Sequence, residues 1–373
     1  MQDDVAIIEV AREFAAETVA PNAESWERER RVPMEVYRAA AERGLCSLTV
    51  PRERGGHAVR PSTMARVMEQ LASADLAFAF CLVVHNNHIR SLCTNGSEEQ
   101  IARYLPDLMA ARRWGSFLLT EARGGSDAAS IETRAVRSAG GWRIDGEKAW
   151  ITNAAETDLL AVYAQTDPEA GWRGIATFLI ERDTPGVVPL EPYFTLGGHA
   201  MGTGGFRFEG CEVPETALLI PPGQGFKAAM TGIDIARINV AAACCGMLQA
   251  SLDTAVAWTR ERRMFGQTTA DFQGVQWMLA DAATDLHAAR LMAYDAAEKL
   301  DRGEDARIEA AHAKKFATRM ALTRIADCAQ SIGANGFRQD FPFARHLAGA
   351  KMAQYLDGAT EIQNVVIARA LFA

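Results

Sequence analysis

The feature that most constrains this chain is that its hydrophobic period changes twice. From residue 1 to about 113 the apolar positions recur at helical spacing. Val5, Ile7, Ile8, Ala11, Phe14, Ala15 and Val19 share a face, and Pro21 ends the run. Val36, Tyr37, Ala40 and Leu45, then segments 64–71, 76–92 and 101–109, continue the pattern, punctuated by Pro51 and Gly55-Gly56. From about 114 to 222 the period shortens. Short strand-like runs appear at 134–137, 142–144, 149–152, 159–164, 175–180, 186–190 and 206–213. Gly140-Gly141 and Asp145-Gly146 read as hairpin turns, and prolines cluster in this zone (among them Pro185, Pro189, Pro192, Pro214, Pro221 and Pro222). From about 223 the helical period returns in four long runs, 226–263, 273–301, 304–332 and 343–371, with breaks at Gly266, Gly303 and Gly333–Gly336.

These changes predict an α+β multi-domain chain. An N-terminal helical domain spans 1–113, a middle antiparallel β domain or barrel spans 114–222, and a C-terminal four-helix bundle spans 223–373. The length of 373 residues agrees, since domains average roughly 150 residues. With 49% hydrophobic and 23% charged residues, the chain buries a core without disulfides or metals.

Charge and cysteine usage exclude several classes. Lys plus Arg is 39 against 47 Asp plus Glu, a net charge of -8, so no nucleic-acid partner is expected. A local basic pocket for a phosphorylated ligand stays compatible with that balance. The seven cysteines are odd in number, lack C-x-x-C spacing and sit in apolar stretches, which reads as buried reduced thiols. His85 and His88 lie three apart with no second cluster, so no metal is expected. The acidic start Met1-Gln2-Asp3-Asp4 lacks the pattern of a signal peptide. The longest unbroken apolar runs, such as 76–84, are about half the roughly 18 residues a membrane span needs. A cytoplasmic protein without a membrane anchor is the expectation.

Four segments carry candidate chemistry. In Leu118-Leu119-Thr120-Glu121-Ala122-Arg123-Gly124-Gly125-Ser126-Asp127 an apolar strand enters a turn of Gly, Ser and Asp. Such a turn offers backbone N–H groups and hydroxyls to a polar ligand, although alone it is an ordinary strand-to-loop junction. In Gly146-Glu147-Lys148-Ala149-Trp150-Ile151-Thr152-Asn153, Trp150 and Thr152 alternate onto one strand face. An indole beside a hydroxyl suits an aromatic ring bearing heteroatoms. Arg260-Glu261-Arg262-Arg263-Met264-Phe265-Gly266 is either a dipole-compensated helix end or a pyrophosphate clamp. Gln330-Ser331-Ile332-Gly333-Ala334-Asn335-Gly336 reads locally as a glycine C-cap.

In this order and spacing the four segments resemble the acyl-CoA dehydrogenase family across essentially the whole chain. The family's loop reads T-E-x-x-x-G-S-D, its strand G-x-K-x-W-I-T-N, its clamp R-x-x-F-G and its later turn Q-x-x-G-G-x-G. Val213-Pro214, Gly223-Gln224-Gly225-Phe226-Lys227, and Val50-Pro51 followed by Gly55-Gly56 add to the match. The resemblance implies FAD between the β domain and the bundle, and a homotetramer (or homodimer). It implies that Phe117, Leu119, Thr120 and Ser126 line the flavin, that Trp150 packs on the ring edge and that Thr152 donates to flavin N5. Arg262 and Phe265, with Gln330 and Ala334, are implied to hold the pyrophosphate and adenosine across a subunit contact. The family has Gly where this chain has Ala334. Thr360 and Glu361 complete the implied cofactor side.

Desaturating an acyl thioester requires a base for the α-proton and an acceptor for the β-hydride. The base must be a carboxylate in a dry pocket that raises its basicity. The family places a Glu in a Y-E-G-T-like stretch before the last helix. Here the stretch is Tyr355-Leu356-Asp357-Gly358-Ala359-Thr360-Glu361, so the resemblance implies Asp357 as base. The alternative family position, just before an Arg on an earlier helix, is Ala236 before Arg237. Asp is one methylene shorter than Glu, which withdraws the carboxylate by roughly 1.5 Å if the backbone is unmoved. Asp is also a favoured N-cap, so Asp357 as a cap of the following helix is the competing reading. Further departures lie nearby: Ala359 for the family's Thr, Ala348-Gly349-Ala350-Lys351 for R-D-A-K, and His199 for an Arg.

Ser126, Asp234, Arg237 and Gly358 join Asp357 on the implied substrate side, with Asp234 and Arg237 alternatively a buried helix–helix ion pair. The implied reaction is FAD-dependent α,β-dehydrogenation of an acyl thioester, on CoA or a carrier protein, with an electron-transfer flavoprotein as acceptor. Two alternatives share the scaffold: a flavin oxidase of the nitroalkane-oxidase type, and a non-catalytic FAD-binding relative.

Overall fold

In the computed structural model, residues 2–373 are described, so Met1 of the acidic start lies outside them. Helices α1 (Gln2–Phe14), α2 (Ala23–Glu29), α3 (Met34–Glu42), α4 (Pro61–Ala74), α5 (Leu76–Asn95) and α6 (Glu98–Met109) come first. Their starts follow local chemistry. Pro61 opens α4 at a position that needs no N–H donor. The Asp75 carboxylate accepts the Phe78 N–H at 2.8 Å to cap α5. Ser97 and Gln100 close a reciprocal capping box on α6. After α1 a π-turn, Ala15–Val19, leads to Pro21.

Strands β1 (Gly115–Leu118), β2 (Arg134–Ser138), β3 (Gly141–Ile151), β4 (Leu159–Gln165), β5 (Ile175–Glu181), β6 (Val187–Leu190), β7 (Gly204–Pro214) and β8 (Leu218–Ile220) form one sheet. Its order is β6-β7-β3-β2-β4-β5-β8, with β1 beside β4. Most of its pairings are antiparallel, as expected, and two are parallel. β1 runs parallel to β4, with Gly115 opposite Leu159, and β2 meets β4 in parallel at Arg134 and Gln165. Parallel neighbours need a long connection, and residues 119–158 supply it. The β2–β3 hairpin turns at Gly140-Gly141 as expected. Asp145-Gly146 is not a turn. It is a bulge inside β3, where the register against β7 slips and Gly146 takes φ +145°.

The chain then forms α7 (Gly225–Glu261), α8 (Gln273–Asp301), α9 (Arg307–Ser331), α10 (Phe343–Ala353) and α11 (Thr360–Leu371). The stretch 343–371, expected as one helix, is two. Apolar periodicity runs through the break, but Asp357 (φ +49°) and Gly358 (φ +94°) take left-handed conformations that reverse the chain between α10 and α11. α7 is long and apolar enough to cross a membrane, yet 67% of its most apolar window is buried within the protein. It packs against α4, α8 and α9. Gly246 permits the approach to α4, since a Cβ there would lie 2.1 Å from the Glu69 carbonyl oxygen. Cys93 is half-buried and the other six cysteines are buried; all seven are free thiols.

Candidate active site

Asp357 sits on the turn between α10 and α11, and three helices pin that turn. Arg237 of α7 donates through Nε to the Asp357 carbonyl oxygen at 3.2 Å. Lys314 of α9 donates through Nζ to the Gly358 carbonyl at 2.6 Å. Gln363 of α11 donates to the same Gly358 carbonyl at 2.9 Å. The Gly358 oxygen therefore accepts two hydrogen bonds, one of them from a cation. Lys314 is fully buried, and burial pushes its ammonium down to about 8 despite the nearby Asp357 carboxyl.

The capping reading of Asp357 is overturned. Ala359 is the N-cap of α11, with no side-chain cap. The Asp357 carboxyl Oδ2 is shut off from solvent and accepts no hydrogen bond. Burial raises this carboxyl to about 6, while Lys314 and Arg237 pull the other way. An acid group held in a strained left-handed turn, unpartnered and with raised basicity, is poised to take up a proton.

Asp357 lines a cavity of about 400 Å³. Val84 of α5, Phe117 of β1, Tyr163 of β4, and Ala229 and Ile233 of α7 supply apolar walls. Phe117 and Tyr163 pack at 4.9 Å between ring centroids. Ala236 also lines this space, so the alternative base position offers no carboxylate. Asp234 and Arg237 are not a helix–helix pair. They pair within α7 at 2.7 Å, three residues apart, and Arg237 reaches on to the Asp357 backbone. His85 and His88 are structural. His85 Nε2 donates to the Leu108 carbonyl while Nδ1 accepts the Gly115 N–H, and His88 Nδ1 donates to the Ser116 carbonyl. Burial holds both rings neutral, at about 3 and about 4. No group of residues able to hold a metal occurs among the described residues.

The loop after β1 and the end of β3 are stitched together. The Ala149 N–H donates to the Thr120 carbonyl at 3.0 Å, and Lys148 Nζ donates to the Leu119 carbonyl at 3.0 Å and to Glu121 at 2.9 Å. Glu121 also accepts the Thr133 N–H and hydroxyl. Burial alone would raise the Glu121 carboxyl, yet these partners hold it below its usual range. Burial lowers Lys148 to about 8. The Leu119 side chain is buried with Ile131, Tyr163 and Ile175. Thr120 is half-buried and Ser126 exposed.

Trp150 and Thr152 do not simply alternate on one face. Trp150 takes φ +59° at a second irregularity of β3 and remains 57% exposed, with Tyr193 at 4.5 Å. Thr152 is half-buried, its carbonyl held by Ser116 Oγ.

The remaining predicted residues form a second group. Arg262 caps the end of α7 and donates through Nη1 to the Ile332 carbonyl at 2.7 Å. That bond joins it to the turn of Gly333 and Ala334, while Gln330, Ala334 and Phe265 are exposed. No hydrogen bond, ion pair or ring contact among the described residues ties this group to the cavity. Thr360 opens α11 half-buried, and Glu361 is exposed.

This chemistry fits a flavin dinucleotide. An uncovered indole and phenyl ring, the exposed Ser126 hydroxyl with the backbone donors of Gly125 and Ser126, and a guanidinium at a glycine turn suit its ring, phosphates and adenosine. A Cβ at Gly124 would meet nothing within 4 Å, so the loop lies open there.

Sequence reasoning missed Lys148, Lys314 and Gln363, which hold the two loops, and Tyr163 and Arg90, which line the cavity. Lys148 and Lys314 left a faint signal, each being a cation at a buried position of an otherwise apolar pattern.

Comparison with known proteins covers all three zones. Residues 1–112 match the acyl-CoA dehydrogenase N-terminal domain, 116–211 the middle domain and 223–372 the C-terminal domain. A probable acyl-CoA dehydrogenase, FadE25, of Mycobacterium tuberculosis is 36% identical over 361 residues, covering 96% of this chain and 93% of that protein. The butyryl-CoA dehydrogenase structure from Megasphaera elsdenii superposes with a TM-score of 0.95 at 29% identity, covering 100% of this chain and 99% of that one. A PigA structure with FAD and proline superposes with a TM-score of 0.94 at 27% identity, covering 100% and 98%. The chain therefore belongs to the acyl-CoA dehydrogenase family.

Proposed function

We propose that Asp357 is the general base of an FAD-dependent α,β-dehydrogenation of an acyl thioester. The family and its FAD-bearing neighbours establish the cofactor and the reaction class; the assignment of the base is the new element. The observation that carries it is the unpartnered, raised carboxyl of Asp357 on the wall of the cavity. FAD, when bound, would supply the acceptor for the hydride of the β-carbon.

The chain's residues do the rest. Asp357 takes the α-proton from a carbon held inside the cavity. Arg237, Lys314 and Gln363 fix the turn that carries it, so the carboxylate meets the substrate without reorganisation. The apolar walls exclude water and keep the carboxylate basic. The Asp357 backbone N–H polarises the thioester carbonyl, which acidifies the α-proton. Asp234, Gly358 and Ser126 contact the substrate's thioester arm.

On the cofactor side, Phe117, Leu119, Thr120, Ser126, Trp150 and Thr152 hold the isoalloxazine end, with Thr360 and Glu361 of α11. Arg262, Phe265, Gln330 and Ala334 hold the pyrophosphate and adenosine of a neighbouring copy. That arrangement implies a homo-oligomer, a tetramer or a dimer, and is supported by the separation of the two groups and by the exposure of Phe265. Domains 1–113, 114–222 and 223–373, a cytoplasmic location and reoxidation by an electron-transfer flavoprotein complete the proposal.

The test is anaerobic bleaching of the bound flavin by a panel of straight, branched and dicarboxylic acyl-CoAs. Bleaching by at least one thioester, abolished in Asp357→Ala with FAD retained, supports the reading. Undiminished turnover in Asp357→Ala sinks the base assignment.

A further inference from the structure

The α5 wall of the cavity carries one charged residue in a helix of 20 otherwise uncharged residues, Arg90. Its guanidinium makes no hydrogen bond, ion pair or ring contact among the described residues. The other cations around the site are engaged: Lys148 by Glu121, Lys314 by the Gly358 carbonyl, and Arg237 by Asp234 and the Asp357 carbonyl. Burial lowers the Arg90 guanidinium from its ordinary value. A desolvated cation without a counter-charge is unfavourable in the empty pocket and strongly favourable toward an anion that enters it.

Its location says where that anion sits. Arg90 Nη2 lies 3.8 Å from where a Cβ of Gly232 would be, so the guanidinium abuts α7 at that level. Gly232 precedes Arg237 by five residues, about 7.5 Å along a helix axis. Arg237 is the residue that holds Asp357. The charges acting on the Asp357 carboxyl are Lys314 and Arg237, and Arg90 is not among them. Arg90 thus faces the same cavity as the base, apart from the reacting bond. Asn87, Ser91 and Thr94 line the cavity on the same helix, with amide and hydroxyl groups, while the amide of Asn95 turns back to donate to the Ser91 carbonyl at 3.0 Å. Among the described residues, none that is acidic apart from Asp357 lines it.

We propose that Arg90 receives a carboxylate at the far end of the acyl chain, so that the substrate is the thioester of a short dicarboxylic acid. This rests on the dehydrogenase reading above and narrows its substrate class. A carboxylate offers two oxygens to the guanidinium fork. A chain ending in a methyl group places apolar surface against a bare cation. A site built around a polar group rejects the analogue that lacks it far more strongly than it discriminates one methylene.

The experiment compares length-matched pairs on the FAD-loaded enzyme: glutaryl- against pentanoyl-CoA, and adipoyl- against hexanoyl-CoA. Anaerobic flavin bleaching reads turnover, and calorimetric titration of the Asp357→Asn holoenzyme reads affinity without turnover. The dicarboxylic member of at least one pair is expected to lead by about 10²-fold in kcat/KM and to bind more tightly. Arg90→Met collapses that ratio, and Arg90→Lys, which keeps the charge, restores part of it. Monocarboxylic thioesters that bleach and bind as well as their dicarboxylic partners overturn the Arg90 assignment and leave the dehydrogenase standing. Tighter dicarboxylate binding without bleaching by any thioester supports the Arg90 site while the dehydrogenase reading fails. The wild-type comparison needs no variant, so a misfolded Arg90→Met leaves the test decisive.

Discussion

Arg237 Nε donates to the Asp357 carbonyl at 3.2 Å while its Nη1 pairs with Asp234 at 2.7 Å, so one side chain of α7 fixes both the backbone and the electrostatics of the proposed base. Its cation is one of the two that hold the Asp357 carboxyl below where burial alone would leave it. Position and basicity at residue 357 are therefore coupled through a residue five positions along α7 from the Arg90 contact.

That coupling predicts a distinctive phenotype for Arg237→Met. Losing a cation beside a carboxylate raises its pKa, so the acidic limb of kcat/KM moves to higher pH. Losing the backbone hold misplaces the carboxylate, and kcat falls by about 10²-fold. A pH–rate profile on FAD-replete enzyme checks both. A fall in activity with the limb unmoved indicates a purely structural role.

In the wild type the limb lies where Asp357 titrates, at about 6. The base works ionised, so kcat/KM is flat above that value and drops tenfold per pH unit below it. Substrate without ionisable groups in this range gives the cleanest profile. A limb near the ordinary carboxylate value of 3.8 contradicts the buried, unpartnered environment.

Asp357→Asn separates catalysis from stability. Removing a general base costs roughly 10² to 10⁴ in rate, with the flavin retained. Because the native carboxyl titrates above its unfolded value, the folded state binds the extra proton. The contribution of Asp357 to stability is thus fully present below about 3.8 and lost as pH rises through about 6. At neutral and alkaline pH the buried charge is a liability, so the amide melts higher than wild type there and the gain shrinks at low pH. Thermal melts across pH check the crossover.

The helix–β–helix zoning was legible because it depends on the period of apolar residues, and residues such as Val5, Ile7 and Ala11 show it without tertiary context. The break between α10 and α11 was not, because apolar spacing continues across it and backbone geometry interrupts the helix, through the left-handed φ of Asp357 and Gly358 and the extended ψ of Ala359. Asp145-Gly146 carries a turn's chemistry, yet Gly146 sits where a Cβ would press 2.7 Å from Thr133 Cα, so close packing and not chain reversal accounts for the glycine. Asp357 was readable through its motif. Arg90 was not, because what sets it apart is the absence of a partner, and that requires knowing what surrounds it.

Lys148 and Glu121 form a buried pair, 0% and 7% exposed at the side chain, that anchors the loop to β3. Lys148→Met leaves the Glu121 carboxylate buried with N–H and hydroxyl donors but no cation. Breaking such a pair on one side costs about 3–5 kcal/mol. The melting temperature and the FAD content are both expected to fall. Lys148→Met with Glu121→Gln removes the unpaired charge and recovers part of the loss. A double mutant no better than the single contradicts the pair's role.

Gly333 tests the second half of the cofactor site. Its φ of +69° disfavours any side chain, and a Cβ there would stand 2.9 Å from Arg262 Nη1, the atom that donates to the Ile332 carbonyl. Gly333→Ala thus costs roughly 1–2 kcal/mol in backbone strain and pushes the guanidinium off its anchor. The contact is with the end of a flexible side chain, so the fold survives and the displaced charge no longer meets the pyrophosphate. The flavin-to-protein absorbance ratio is expected to drop in purified Gly333→Ala, and to drop again in Arg262→Ala, while far-UV circular dichroism stays that of the wild type. Full flavin retention in both variants removes Arg262 from the cofactor site and leaves the exposed aromatic side chains, Trp150 and Phe265, to be tested in its place.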